Sequence, residues 1–422
     1  MKAVGLITEY NPLHEGHIHH LNQSKLKTNA DCVIAVMSGN YVQRGEPALV
    51  NKHLRCKAAI DSGINLVVEL PAMYALSSAE GFAQGAVMTL DTLRVDSVVF
   101  GSECGDISKL NNIASILLNE TPEFKSHLLK ALASGLSYPA ARQIAVKEII
   151  TEYGIDDNSS NIHDILSNPN NILGIEYIKA IKKLHSSMKP ITITREGTGY
   201  NESHISGLPS ASAIRNILKK ACSDNPLADV KNLLAPAMYT YLNNALSEGL
   251  TPMEMDDFTF LFNTRMNDIF YTSGCNKNTI IQKLATFTDI DENLASRMYS
   301  TFNGCEPLST YCANVKSKQY TYSRISRAAM HIILGMTDQR YKAYDTKPPY
   351  IRILGFDPIG AKYLSSIRKE CNTPLITKVS DYKELLLDDI YCSHIYNEAV
   401  YNKCGYRIAD EYRCGVYIKN KL

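Results

Sequence analysis

The sequence predicts an α/β fold: a mostly parallel sheet within residues 1–222, then a mainly α-helical C-terminal region. Three observations carry this. Short β-branched and aliphatic runs recur through the first part, stretches at helical spacing separate them, and the strand signal fades afterwards. Strands alternating with helices imply right-handed crossovers and a sheet covered on both faces.

In order, the expected strands are Lys2–Thr8, Cys32–Met37, Leu66–Leu70, Ser97–Phe100 and Ile191–Arg195. Helical patterns lie between them at His17–Thr28, Lys52–Ser62, Ser78–Leu93, Leu110–Leu118, Leu128–Ser134 and Leu173–Leu184, and Ser212–Ala221 closes this unit. Residues 223–347 read as successive helices, among them Val230–Leu246, Asp256–Phe270, Lys277–Thr286, Asp291–Thr301 and Ser323–Leu334. Pro348-Pro349 marks a junction, because the residue before a proline leaves the helical region. A small unit at 348–422 then combines a strand at Tyr350–Leu354, helices and a tyrosine-rich tail.

Composition narrows the function. A chain of 422 residues with 45% hydrophobic and 21% charged residues is ordinary globular material, too long for one core and neither disordered nor collagen-like. It lacks a long apolar run and reaches Glu9 too early for a signal peptide, so neither membrane span nor secretion is expected. The 11 cysteines form no Cys-x-x-Cys pair, which favours reduced thiols in a cytoplasmic protein over a disulfide framework or a zinc site. The net charge of +1 hides an asymmetry: Thr310–Leu422 carries 18 Lys and Arg against 11 Asp and Glu, with 14 of the 25 tyrosines. Basic charge and aromatic faces suit an RNA loop or single strand; the alternative is that the tyrosines are core. Neither a membrane nor DNA is an expected partner.

Ligands of parallel sheets bind at the carboxyl ends of the strands, and there the informative residues fall. Gly5-Leu6-Ile7-Thr8-Glu9-Tyr10-Asn11-Pro12-Leu13-His14-Glu15-Gly16-His17 runs from a first strand through a turn into a helix. Gly16 permits close backbone approach, the helix N-terminus offers unpaired N–H groups, and His14 and His17 share one helix face. Such imidazoles suit donation to phosphoryl oxygens. His19 and His20 lie nearby, but further metal ligands at zinc spacing are not evident, so no metal site is expected.

His14-x-Gly16-His17 resembles the HxGH signature of nucleotidyltransferases related to class I aminoacyl-tRNA synthetases, which implies a Rossmann-like catalytic domain. Ser210-Ala211-Ser212-Ala213-Ile214-Arg215 matches their later Ser/Thr-rich signature in position and type. The chain is similar, more narrowly, to the bacterial tRNA(Met) cytidine acetate ligases. That similarity rests on Met37-Ser38-Gly39-Asn40-Tyr41-Val42-Gln43-Arg44-Gly45-Glu46-Pro47, Val68-Glu69-Leu70-Pro71, Ser78-Ala79-Glu80 and Phe100-Gly101-Ser102-Glu103. It continues in Pro169-Asn170-Asn171-Ile172-Leu173-Gly174-Ile175-Glu176-Tyr177, Arg195-Glu196-Gly197 and Arg352-Ile353-Leu354-Gly355-Phe356. Thr8, Leu13 and Glu15 depart from the family's commoner valine, phenylalanine and asparagine.

The resemblance implies ATP with Mg2+, acetate as co-substrate, and elongator tRNA(Met) acetylated at its wobble cytidine through an acetyl-adenylate. His14, His17, Arg195 and Arg215 would be catalytic. ATP would lie against Ile7, Thr8, Glu9, Tyr10, Asn11, Pro12, His14, Gly16, His17, His20, Gly101, Asn170, Asn171, Arg195, Ser210 and Ser212. A cofactor-type nucleotidyltransferase acting on a small metabolite is the alternative. From the residues alone, the Asn170–Asn171 pair reads equally as a cap of the helix after Pro169. Arg44 and Lys52 stay open between phosphate, RNA and solvent, with Arg55 beside them as a second RNA-facing possibility.

Overall fold

The structure is a computed structural model, and it describes residues 1–136, 138–153, 162–195, 210–220 and 226–420. Glu196, Gly197, Ala221 and the expected boundary at residue 222 fall outside them. Ten strands are formed among the described residues: β1 (Ala3–Thr8), β2 (Cys32–Ser38), β3 (Tyr41–Val42), β4 (Glu46–Pro47), β5 (Leu66–Leu70), β6 (Ser97–Ser102), β7 (Lys189–Thr194), β8 (Ile351–Phe356), β9 (Leu375–Ile376) and β10 (Tyr417–Ile418). The main sheet has the order β10-β8-β5-β2-β1-β6-β7, with β9 on β8; β3 and β4 form a separate hairpin. From β5 through β7 every pairing is parallel. Each of the five expected strands is present, and the predicted α/β class holds.

These strands do not alternate in polarity. All of β2 and β5 is buried, Glu69 included, as a parallel sheet covered on both faces requires. β1 lies between β2 and β6 with Gly5 against the Leu90 side chain; a Cβ there would sit 2.5 Å from Leu90 Cδ2. The strand is therefore held from both sides at Val4–Leu6, from below at Gly5 and by β2 out to Thr8, which makes it a rigid platform for the turn that follows.

Helix α1 (Glu15–Thr28) starts at His14, an N-cap in extended conformation, and ends at Asn29 in the left-handed region. Helix α2 (Lys52–Asp61) starts at Asn51, whose side chain accepts from the Leu54 N–H at 2.9 Å. The helix expected from Val230 begins instead at Pro236. Residues 230–235 turn back onto the first βα connection: Glu15 N–H donates to Leu233 O at 3.0 Å, and Ala235 N–H to Leu13 O at 3.3 Å. A clamp across more than two hundred residues is not readable from local periodicity.

The C-terminal strand differs most from expectation. β8 pairs antiparallel with β5 and β10 pairs parallel with β8, so residues 351–356 and 417–418 extend the N-terminal sheet. The main hydrophobic core correspondingly runs from Ala3 to Val400. Of the tyrosines after Ser309, Tyr311, Tyr320, Tyr344, Tyr350, Tyr363 and Tyr396 are buried, whereas Tyr382, Tyr401 and Tyr412 are exposed. Much of that tyrosine enrichment is core.

Candidate nucleotide site at the first strand-helix turn

β1 ends in Ile7 and Thr8, and Glu9–Leu13 carry the chain over the sheet edge into α1. Tyr10 takes a positive φ of 46° and packs edge-on to His17, with ring centroids 5.0 Å apart. Asn11 is buried; its Oδ1 accepts from the Leu49 N–H at 2.7 Å, which ties the turn to the segment before α2.

The two histidines cap their own helix. His14 Nδ1 accepts from the Gly16 N–H at 3.0 Å, and His17 Nδ1 accepts from the His14 N–H at 3.3 Å. This is a capping box built from imidazoles where Ser or Thr with Glu is usual. The rings lie 3.8 Å apart, centroid to centroid. Because each Nδ1 lone pair is engaged by a backbone N–H, the neutral rings must carry their protons on Nε2. Burial, helped by the Arg195 guanidinium, pushes His14 down to about 3. Burial together with His14 and Arg195 holds His17 well below its usual range, and burial with Arg195 and His19 takes His20 to about 4. At neutral pH the turn therefore presents uncharged Nε2–H donors.

Two buried polar atoms here have no hydrogen-bond partner among the described residues, Asn11 Nδ2 and His20 Nε2. Together with the His14 and His17 donors, Asn11 Nδ2 suits a ligand rich in acceptor oxygens or ring nitrogens. Among the described residues no three His, Cys, Asp or Glu converge as metal ligands.

Arg215 reaches the turn from the helix Ala211–Lys220. Its Nη1 donates to Asn11 O at 2.9 Å, its Nη2 donates to Ser212 Oγ at 3.2 Å, and Glu46 lies 3.8 Å away. Ser210 Oγ accepts from the Ala213 N–H at 3.2 Å. The Ser-x-Ser-x-x-Arg segment thus uses one hydroxyl at the helix start and the other to orient its arginine.

Across the sheet edge Arg195 is exposed and its Nη1 donates to Asn170 Oδ1 at 3.2 Å. Its stem covers Gly101, where a Cβ would lie 3.1 Å from Arg195 Cγ. The asparagine pair divides. Half-buried Asn170 links Arg195 to Glu103, donating to Glu103 Oε1 at 2.6 Å. Asn171 is buried and its Oδ1 accepts from the Cys104 N–H at 3.1 Å. Neither side chain caps the helix Pro169–Lys183: that role falls to Glu103, whose Oε2 accepts from the Asn171 N–H at 2.9 Å.

Lys52 and Arg55 are fully buried and present nothing to RNA or solvent. Arg55 donates to Glu9 O at 2.6 Å, Ser38 O at 3.1 Å and Gly39 O, gathering the ends of β1 and β2. Lys52 belongs to a buried ionic cluster that periodicity did not reveal. Its Nζ lies 2.6 Å from Glu69 Oε1 and 3.0 Å from Glu411 Oε1, and Arg352 bridges the same two carboxylates. The signal for it was a charged residue inside each of two apolar strands, Glu69 and Arg352.

A family model described as HIGH Nucleotidyl Transferase matches residues 1–411. A tRNA(Met) cytidine acetate ligase of Caldanaerobacter subterraneus is 39% identical over 412 residues, covering 95% of this chain and 96% of that protein. That of Clostridium novyi is 39% identical over 407 residues, covering 95% and 96%. Among solved structures, Thermotoga maritima TmcAL bound with alpha-thio ATP superposes with a TM-score of 0.87 at 30% identity, and its apo form with 0.89 at 30%; each covers 100% of both chains. No helix among the described residues is long and apolar enough to cross a membrane. A sheet edge with HxGH imidazoles, matched over nearly the whole chain by these relatives, makes this protein a member of the tRNA(Met) cytidine acetate ligase family of HIGH nucleotidyl transferases.

Proposed function

We propose that this protein is an ATP-dependent ligase that acetylates the exocyclic amine of the wobble cytidine in elongator tRNA(Met), by way of an acetyl-adenylate. The observation that carries the reading is the pair of neutral, backbone-locked imidazoles at the start of α1. The relatives' shared name supplies acetate, cytidine and tRNA(Met), and the alpha-thio ATP bound by the Thermotoga protein supports ATP.

In the first step an acetate oxygen attacks the α-phosphorus of ATP and pyrophosphate leaves. His14 and His17 donate from Nε2 to the α-phosphoryl oxygens as charge accumulates there. An uncharged donor already fixed in place requires no reorganisation during attack. Arg215, oriented by Ser212, and Arg195 meet the departing pyrophosphate, for which a planar guanidinium is well shaped. Mg2+ travels on the phosphates, so no protein cage is needed. The turn Ile7–Pro12, Gly16, His20 and Ser210 line the nucleotide. Of the asparagines, Asn170 faces it from the half-open rim and Asn171 supports the Glu103–Cys104 connection. In the second step the cytidine N4 attacks the acetyl carbon and AMP leaves. Exposed Lys362, Arg368 and Lys369 are candidate phosphate contacts for the tRNA.

Acetate-dependent exchange of pyrophosphate into ATP, with and without tRNA, tests the reading. Exchange is expected without tRNA, and N4-acetylcytidine only with it. Exchange that requires a phosphorylated metabolite in place of acetate would transfer the protein to the cofactor-type nucleotidyltransferases.

A further inference from the structure

We propose that Glu9 is the acceptor for the target amine: its carboxylate takes a hydrogen bond from cytidine N4, then the proton released as N4 bonds to the acetyl carbon. The inference rests on the ligase reading above and adds a base to its second step.

A carboxylate is out of place in a site built for anions. ATP and acetate are both negative, and the surrounding cations are those such substrates need. Yet Glu9 stands at the end of β1, in the same turn as His14 and His17. It is half-buried, with the guanidinium groups of Arg44, Arg55 and Arg215 near enough to favour its ionised form. A negative group that opposes the binding of both small substrates should serve a third species, and that species must offer N–H donors. The cytosine N4 amine is such a donor, and Glu is a suitable side-chain acceptor for it.

The carboxylate is also aimed. Arg55 Nη1 holds the Glu9 carbonyl at 2.6 Å, and the Gln43 N–H donates to Glu9 Oε1 at 2.8 Å. Gln43 lies in the β3–β4 hairpin, and its Nε2 donates in turn to Ser77 O at 3.3 Å. The hairpin is held at Gly45, whose φ of +80° and whose approach to the Arg327 backbone, with a Cβ 2.2 Å from its nitrogen, allow no side chain. Oε1 is thereby anchored by the backbone, and among the described residues no hydrogen bond is donated to Oε2. The groups facing Glu9 are Arg44 of the hairpin, Arg55 of α2, Arg215 with its partner Glu46, and Tyr177 of the helix Pro169–Lys183. Burial outweighs the arginines and the Gln43 bond, and raises the Glu9 carboxyl above its usual range. A base poised closer to neutrality transfers protons more effectively.

The step balances. The N4–C bond forms, the bond from the acetyl carbon to the phosphate oxygen breaks, AMP leaves with the electron pair, and the N4 proton passes to Glu9 and then to solvent.

A purely architectural Glu9 would only anchor the hairpin, which a glutamine oxygen can do equally well. Glu9→Gln therefore separates the roles. Single-turnover acetyl transfer from enzyme-bound acetyl-adenylate to tRNA should fall at least about a hundredfold more than acetate-dependent exchange does. The acidic limb of the wild-type transfer rate against pH should vanish in Glu9→Gln and return in Glu9→Asp at a reduced rate. Transfer falling no more than exchange, or an acidic limb that survives in Glu9→Gln, overturns the proposal. Wild-type protein that exchanges no pyrophosphate with acetate would sink the ligase reading instead.

Discussion

The turn at His14–His17 and the cluster of Lys52, Glu69, Arg352 and Glu411 both withdraw ionisable groups from water, but they leave their charge in opposite states. In the cluster, charge is matched to charge: Lys52 and Arg352 each meet both carboxylates, and Lys52 also donates to Ser393 Oγ at 3.1 Å. Burial works to raise Glu411, yet Lys52, His53 and Arg352 hold it well below its usual range. At the turn, burial removes charge from the imidazoles, and the Nε2 protons of His14 and His17 have no acceptor among the described residues. A cluster whose charges pair with one another joins strands, even with Glu69 Oε2 and Arg352 Nη1 left without a hydrogen bond among the described residues; rings kept neutral leave N–H donors for a ligand. Residue type does not separate the two, whereas the pairing of charge with charge does.

The largest expected effect tests the closed cluster. Arg352→Met leaves two buried carboxylates facing one lysine, and it should cost about 3–5 kcal/mol of unfolding free energy, the scale of breaking a buried ion pair. Chemical denaturation measures it; a loss below about 1 kcal/mol would show that the cluster is wet. At the open site the loss should fall on rate. His14→Ala and His17→Ala should each slow acetate-dependent exchange by about 10²–10³-fold, with a smaller change in ATP affinity. Exchange near the wild-type rate in both variants would remove the imidazoles from the chemistry.

Acid should expose the same contrast. With His14 at about 3 and His20 at about 4 in the fold, against about 6.5 when unfolded, the unfolded chain binds more protons below that value. The stabilisation is complete above about pH 6.5 and drains away as pH falls toward 4 and then 3. His20→Asn should flatten this slope in thermal melts between pH 6.5 and 4. An unchanged slope would mean the ring is already charged in the fold.

The smallest effect divides two neighbouring asparagines. Asn171→Ala removes a buried side chain and deprives the half-buried Cys104 N–H of its acceptor, and should cost about 1–3 kcal/mol. Asn170→Ala, on the half-open rim, should alter stability by no more than about 0.5 kcal/mol and weaken ATP binding measured by calorimetry. Equal destabilisation by the two would erase the distinction between rim and support.

The five N-terminal strands and the position of His14, His17, Gly16 and Arg215 on a strand-helix edge were legible in the order of residues, because β-branched runs and helix starts are local properties. So was the family, whose motifs are contiguous. What local pattern could not supply were relations across long sequence distances. Leu233 and Ala235 clasp the turn at Leu13–Glu15, β8 joins β5 from nearly three hundred residues away, and Glu103 rather than an asparagine caps the helix Pro169–Lys183. Nor did sequence separate Lys52 and Arg55, which are sealed inside, from Arg195, which is exposed, since all are cations after strands or within helices. The residue types specify which atoms can donate, accept or titrate. Whether a given atom spends that capacity on its own chain or keeps it for a ligand depends on which distant segments pack against it, and this is settled when the sheet closes.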